Sequence, residues 1–527
     1  MSIKLRDVTA RYAVLEIDDG GDYYTKEPYF IQIGGKERIS TNKSLNYISG
    51  LKPETEYVIR LENEKGDLVE GVRFTTKKES ITLNVKSLGA FGDGMHDDTV
   101  FIQAAIMACP ADGRVLIPAG KYCISNVFLR SSLNLEIQKD AELISVRDRN
   151  LHPYYPGELQ TYDESDEYYL GTWEGNPRPM FAGIICGLGV ENVNIYGEGI
   201  VNGNATKEDW WFEPKKMRKA YRPRTVFLKD CRNVTIAGIT VMNSPSWTIH
   251  PFYSEGIRLF ALNLINPKDS PNTDGIDPES CRDVEISGVR FSLGDDCIAV
   301  KSGKIFMARK CGRPSEKIVI SRCLMEDGHG AVTLGSEIAG GVKDLLVKDC
   351  FFKNTDRGLR IKTRRGRGKD SVLDGIVFEN IRMEKVKTPF TVNSFYFCDP
   401  DGKTEYVQSR EAFPVDDNTP KIGRLYFKNI EARDCSVAAM YCDGLPEEKI
   451  EEIRLEDIRI SFDENADKPD VPIMSSGVIP CCRKGIYARN VKKFEMINVQ
   501  IEGCEGEEAI FEQVDELIGN QVPGERE

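Results

Sequence analysis

Four short polar stretches hold residues whose types and spacing could do chemistry together. They are Asn272-Thr273-Asp274-Gly275-Ile276-Asp277, Gly294-Asp295-Asp296-Cys297-Ile298, Gly328-His329-Gly330-Ala331-Val332 and Arg357-Gly358-Leu359-Arg360-Ile361-Lys362. Asp274, Asp295 and Asp296 supply carboxylates, His329 an imidazole, and Arg357, Arg360 and Lys362 cations. Carboxyls crowded into one place cannot all ionise. At least one rises in pKa and keeps its proton while a neighbour stays charged, and acid–base chemistry needs that division. Arg360 and Lys362 lie two apart, hence on one face of a strand, where they match a ligand carboxylate; Arg offers it a bidentate fork.

These stretches act together only if the fold stacks them. The chain from about residue 190 repeats a pattern of apolar-x-apolar-x-turn-apolar. Clear copies are Val234-x-Ile236-x-Gly238-Ile239, Val284-x-Ile286-x-Gly288-Val289, Ile318-x-Ile320-x-Arg322-Cys323, Ile376-x-Phe378-x-Asn380-Ile381 and Ile453-x-Leu455-x-Asp457-Ile458. Successive copies start 23 to 49 residues apart. Gly, Asn and Asp dominate the turn position, where a left-handed backbone makes a sharp bend. Apolar spacing of two excludes helical repeats. The expected architecture is a right-handed parallel β-helix, with the Asn residues stacked near its end; a propeller is the alternative, without its blade signature.

Neighbouring coils of such a solenoid lie ~4.8 Å apart, so residues distant in sequence fall into one column. Counted from the first apolar residue of their copies, Asp295 and His329 occupy the same position, 11 residues on. Aligning the small or apolar residues that follow instead puts Asp274, Asp296, His329 and Arg357 in register. Asp295 and Asp296 reach one cleft only if Gly294 makes a bend between strands.

The rest of the chain frames this body. In residues 1–80, Leu51-Lys52-Pro53-Glu54-Thr55-Glu56-Tyr57 precedes the run Val58–Leu61, and a second run ends in Val72-Arg73-Phe74. Two alternating strands around a turn read as a hairpin, and Leu-x-Pro-x-Thr-x-Tyr is where a sandwich places its tyrosine corner. This segment resembles a fibronectin type III domain, so the expected division is 1–80 and 81–527. Gly89–Gly94 leads into a helix starting near Asp97–Thr99. No Lys-Ser/Thr follows and GxGxxG spacing is absent, which excludes a phosphate loop. The helix is expected to close the open end of the solenoid. The segment 148–180, with Tyr154, Tyr155, Tyr162, Tyr168, Tyr169 and Trp173, interrupts the repeat and could fold over the cleft.

The motifs NTDGID, GDDC, GHG and RIK, in this order and spacing, resemble those of the polygalacturonase family, glycoside hydrolase family 28. Gly197-Glu198-Gly199-Ile200-Val201-Asn202-Gly203 and Asn243-Ser244-Pro245-Ser246-Trp247-Thr248-Ile249-His250-Pro251 also look like the family. The resemblance covers roughly residues 85–510, and with the fibronectin-like module it is nearest to bacterial exo-acting members. It implies inverting hydrolysis of α-1,4-linked galacturonate, with Asp295 as general acid and Asp274 and Asp296 as bases on the water. Inversion calls for carboxyls roughly 6.5–9.5 Å apart. His329 would hydrogen-bond Asp295. Arg360 and Lys362 would hold a substrate carboxylate, with Asn272, Arg357 and Tyr396 as further substrate contacts. No metal or cofactor is implied. Pectate lyases on the same solenoid do not call for Gly-Asp-Asp followed by Gly-His-Gly; rhamnogalacturonan or xylogalacturonan hydrolysis, endo action and a non-catalytic glycan-binding β-helix are the other readings.

Composition narrows the partners. With 70 Lys+Arg against 83 Asp+Glu, the 527-residue chain carries −13, which disfavours nucleic acid. From Arg357 to Lys369, however, seven basic residues occur with no acidic one, and such a patch could focus an anionic ligand. The expected partner is a pectic polysaccharide or oligogalacturonide, with no nucleic acid or membrane; the oligomeric state stays open. No uncharged run approaches the ~20 residues of a membrane span. The scattered, odd set of 15 Cys reads as buried reduced thiols. With no signal-like start, a cytoplasmic location is the expectation, or secretion after removal of a leader.

Overall fold

The computed structural model describes residues 1–34, 37–157 and 170–521. Parallel pairing dominates it. A sheet of 28 strands runs from Thr82–Asn84 to Ala509–Gln521, and the copies of the apolar repeat pair strand on strand in the order the sequence gives them. Val193, Val234, Ile257, Val284, Ile318, Leu345, Ile376, Leu425, Ile453 and Phe494 form one ladder. All are at most 1% exposed. Each buried aliphatic side chain of this kind contributes about 1.5–3 kcal/mol, so the inside of the coil is a continuous apolar core. The chain is a right-handed parallel β-helix.

The bends follow the expected chemistry. Asp349, Asn380, Asn429, Asp457 and Asn498 all have φ between 51° and 56°. Their side chains hydrogen-bond from coil to coil: Asn380 Nδ2 donates to Asp349 at 3.1 Å, Asn429 to Asn380 at 2.7 Å and Asn498 to Asp457 at 2.8 Å. The helix Thr99–Ala108 buries Ile102, Ala105 and Ile106 in the same core as Val115 and Val127, so it covers the first coils.

Two antiparallel sheets precede the solenoid, of three and four strands, within Ser2–Thr75. The Tyr57 hydroxyl accepts from the Lys52 backbone N–H at 2.9 Å, which is the tyrosine corner the sequence announced. This sandwich is docked along the side of the helix. Tyr12 packs on Tyr196 with ring centroids 5.0 Å apart. Tyr47 and Leu45 stand where side chains on Gly238 and Gly288 would be. Arg322 donates to Glu16 at 3.1 Å and Arg382 to Asp22 at 2.7 Å.

Candidate active site

The four polar stretches meet in one cleft. Ile276, Ile298, Val332 and Leu359 pair in series on consecutive coils. Two residues earlier, this register aligns Asp274, Asp296, Gly330 and Arg357. His329 is therefore not in register with Asp274 and Asp296. It stands one residue off, beside Asp295 and Asp356, as the count from the start of each copy gives. The reason is that both coils have the same length between the paired Val284 and Ile318 and the paired Ile298 and Val332, so Gly330, not His329, falls opposite Asp296. The His329 imidazole meets Asp356, with Nδ1 at 2.9 Å from Oδ2; the expected side-chain bond to Asp295 is replaced by one from the His329 backbone N–H to the Asp295 carbonyl, at 3.2 Å.

Gly294 does break the strand. Leu293 ends it, and the bend at 294–295 turns both aspartates into the cleft. A side chain at Gly294 would meet the Lys268 carbonyl 2.4 Å from its Cβ. At Gly330 a Cβ would lie 2.8 Å from Asp296 Oδ1. Gly294 thus lets the bend pass close to the Lys268 backbone, and Gly330 leaves room for Thr333 and the Asp296 carboxylate. Carboxylate oxygens of Asp274, Asp295 and Asp296 all lie within 4.8 Å of one another. That is closer than the separation expected for inversion. The three could also surround a cation, but protein cations already stand against two of them.

Asp296 is fully engaged. Arg360 donates to its Oδ1 at 2.9 Å and Lys362 to its Oδ2 at 2.8 Å. Burial alone would raise this carboxyl, yet Lys362 and Arg360 hold it far below the usual carboxylate range. Asp274 goes the other way. Burial pushes it well above its ordinary value, the charges of Asp295 and Asp277 push further, and Lys301 at 3.8 Å only partly opposes them. Asp295 is the half-exposed member of the three. His329 is 53% exposed at its side chain and rises in pKa through its bond to Asp356.

The other expected contacts are all at the cleft. Asn272, left-handed at φ 55°, has its side-chain oxygen held by Arg222 at 2.7 Å. Tyr396 is half-buried, lines the cleft, and has the Lys362 ammonium 5.8 Å from its ring. Arg357 lines it too, donating to the carbonyls of Pro472 at 3.2 Å and Val471 at 2.7 Å, and so ties the segment around Met474 over the cleft. The cleft encloses about 430 Å³, within the ordinary range for small-ligand sites.

The basic run is not a free field. Arg364 pairs with Asp399 and Asp401, Arg365 with Glu447, Arg367 with Asp399, and Lys369 with Asp417. Arg365 is 1% exposed. These residues staple the insertion after residue 394 to the solenoid, leaving only Arg357, Arg360 and Lys362 of the run in the cleft.

A polar floor lies under Asp274; Asp277, Trp247 and His250 stand in motifs of the sequence, whereas Arg224, Glu279, Lys301 and Glu337 were not singled out from it. Lys301 sits 3.5 Å from Asp277 and 3.2 Å from Glu337, with Trp247 4.2 Å away. His250 bonds Glu279 at 2.9 Å, and Arg224 stacks between Trp173 and Trp247. Burial raises Asp277 and Glu279 to about 8 each. The available signal was a charge closing an apolar strand, as in Ile298-Ala299-Val300-Lys301.

One wall comes from the segment 148–180. Thr172–Trp173 and Asn176–Pro177 form a hairpin. Trp173 stacks on Tyr221 at 4.7 Å, Gly175 accepts from the Lys304 backbone at 2.9 Å, and Glu174 lines the cleft. Tyr154 and Tyr155 instead pair with Phe181 and Met180, away from the cleft lining. Tyr162, Tyr168 and Tyr169 lie outside the described residues.

A family model described as Glycosyl hydrolases family 28 matches residues 170–474. One described as Rhamnogalacturonase A/epimerase, pectate lyase-like, matches residues 82–137. A probable polygalacturonase of Vitis vinifera is 30% identical over 438 residues, 80% of this chain and 84% of its own. Among solved structures, the family 28 exopolygalacturonase of Yersinia enterocolitica covers 99% of this chain and 98% of its own with a TM-score of 0.72 at 18% identity, a likeness of fold. The exopolygalacturonase of Thermotoga maritima covers 73% and 89% with a TM-score of 0.61 at 25% identity.

Proposed function

The chain belongs to the glycosyl hydrolases of family 28, and we propose that it is an exo-acting polygalacturonase that hydrolyses α-1,4-galacturonosidic bonds with inversion. The observation that carries this reading is the convergence of Asp274, Asp295 and Asp296 within 4.8 Å, flanked by Arg360 and Lys362. Asp295, half-exposed, protonates the leaving oxygen; Asp274 and Asp296 hold the attacking water. Arg360 and Lys362 have donors left beyond Asp296 and reach the carboxylate of the leaving sugar.

The proton positions describe a cycle. In the free protein, burial and the charges of its acidic neighbours favour the protonated form of Asp274. That is the state a turnover leaves behind, with Asp295 having given its proton to the glycosidic oxygen and Asp274 having taken one from water. A proton passed from Asp274 to Asp295 resets both groups. Inversion is carried by the family, since the short carboxyl spacing does not by itself argue for it.

Exo action is supported by the Glu174 hairpin, which walls the upstream end of the cleft, and by the likeness to the exopolygalacturonase of Thermotoga maritima. The 15 Cys are free, nine of them buried, which supports a reducing, cytoplasmic setting with oligogalacturonides as substrates. The test is a time course on polygalacturonate read by chromatography and by NMR of the first product. Monomer alone from the first minutes, released as the β-anomer, is expected. A ladder of oligomers would replace exo by endo action, and a first-formed α-anomer would overturn inversion. Turnover of rhamnogalacturonan but not polygalacturonate would overturn the substrate.

A further inference from the structure

Five lysine and arginine side chains line the cleft: Lys215, Lys301, Arg357, Arg360 and Lys362. Four face protein acids. Lys301 stands 3.2 Å from Glu337, Arg357 3.5 Å from Asp356, and Arg360 and Lys362 share Asp296. Lys215 is exposed and has no ion-pair or hydrogen-bond partner for its ammonium among the described residues. Its neighbours Lys216 and Arg218 both use Glu213. Glu174, at the same end of the cleft, lies in the field of Arg222 and Arg224.

The backbone before Lys215 is nevertheless fixed. The buried Arg222 guanidinium donates to the carbonyls of Pro214 at 3.1 Å, Pro245 at 2.7 Å and Pro271 at 2.9 Å, and to Asn272 Oδ1 at 2.7 Å. One side chain thus ties the residue preceding Lys215 to the stretch that carries Asp274. The loop bearing Lys215 leads into Val226–Lys229, two coils before Ile276. Arg360 lies on the coil of Leu359, three coils after Ile276. Cations therefore flank the three aspartates from opposite ends.

A galacturonate chain carries one carboxylate per ring. Resting on the polygalacturonase reading above, which places the leaving sugar at Arg360 and Lys362, we propose that Lys215 binds the carboxylate of the ring on the other side of the scissile bond, the non-reducing terminal ring. An ammonium with no protein partner gives up no ion pair to do so, and the pinned Pro214 limits what its loop must lose in freedom. The lysine then selects a free acid over an ester at that ring.

The test uses the full chain with digalacturonate and with its analogue methyl-esterified on the non-reducing ring. Lys215→Gln is expected to raise KM for digalacturonate roughly tenfold, the worth of one charge-assisted hydrogen bond, with kcat within about twofold. KM for the ester is expected to be the same in Lys215→Gln and wild type, and Lys215→Arg to restore the preference for the acid. High salt shrinks the difference, because the pair is exposed. An unchanged KM for digalacturonate, or an equal rise for acid and ester, would overturn the inference. Failure of the wild-type chain to cleave digalacturonate at all would overturn the exo-acting reading instead.

Discussion

Asp274 and Asp296 stand in register on adjacent coils, yet their neighbourhoods give them opposite appetites for a proton. Downstream, around Asp296, a guanidinium and an ammonium within 2.9 Å serve one carboxylate. Upstream, Lys301 is the near cation for Asp274, Asp277 and Glu337 together, and Glu279 bonds only His250 and backbone. Both aspartates are buried, so burial cannot explain the difference. The count of cations per carboxylate does. The cations keep Asp296 charged while Asp274, Asp277 and Glu279 are raised; Glu337, which Lys301 shares with Lys304 and Lys362, is held down to about 2.

The largest test of this contrast is its link, Asp295. Asp295→Asn removes the group that would carry the proton from one half to the other, and kcat on polygalacturonate is expected to fall by about 10³-fold with the melting temperature unchanged. Full activity in this variant would dissolve the assignment. Next in size, Lys362→Met takes away one of the two cations on Asp296. Asp296 then rises toward the ordinary carboxylate range, so the acid limb of the kcat/KM profile moves to higher pH and kcat/KM falls by roughly 10²-fold. An acid limb that stays put would mean that Asp296 is not the group it reports.

The smallest effect is on stability. Asp277, raised to about 8 by burial, binds its proton in the folded state while the unfolded chain has released it. Folding therefore loses stability as pH rises from about 4, where the unfolded carboxyl titrates, to about 8. Asp277→Asn, neutral throughout, escapes that loss. Its melting temperature relative to wild type is expected to climb steadily over this range, and a pH-independent difference would break the upstream half of the comparison.

The column was legible in the sequence because the solenoid turns recurrence into proximity: once Val284 and Ile318 are read as equivalent, Asp296 and Gly330 must neighbour each other. The one-residue error at His329 came from aligning by the small or apolar residues that follow; the count from the paired strands on either side places it opposite Asp295. The neutralised basic run was illegible for another reason. Arg364, Arg365 and Lys369 find their partners 35 to 82 residues downstream, in loops whose paths no local pattern encodes. The floor was hidden because Lys301 looks, taken alone, like a strand end.

The docked sandwich has a thermodynamic consequence for this stack. It touches Tyr196, Gly238, Phe260, Gly288, Arg322, Phe351 and Arg382, residues at seven successive coils that include every coil bearing a proposed catalytic aspartate. A bare solenoid interacts only between nearest neighbours and can fray coil by coil. A splint across seven coils couples those that do not touch, so a local opening at Asp274 must either break the sandwich interface or carry the neighbouring coils with it. The module far from the chemistry thereby makes the catalytic stretch a single cooperative unit.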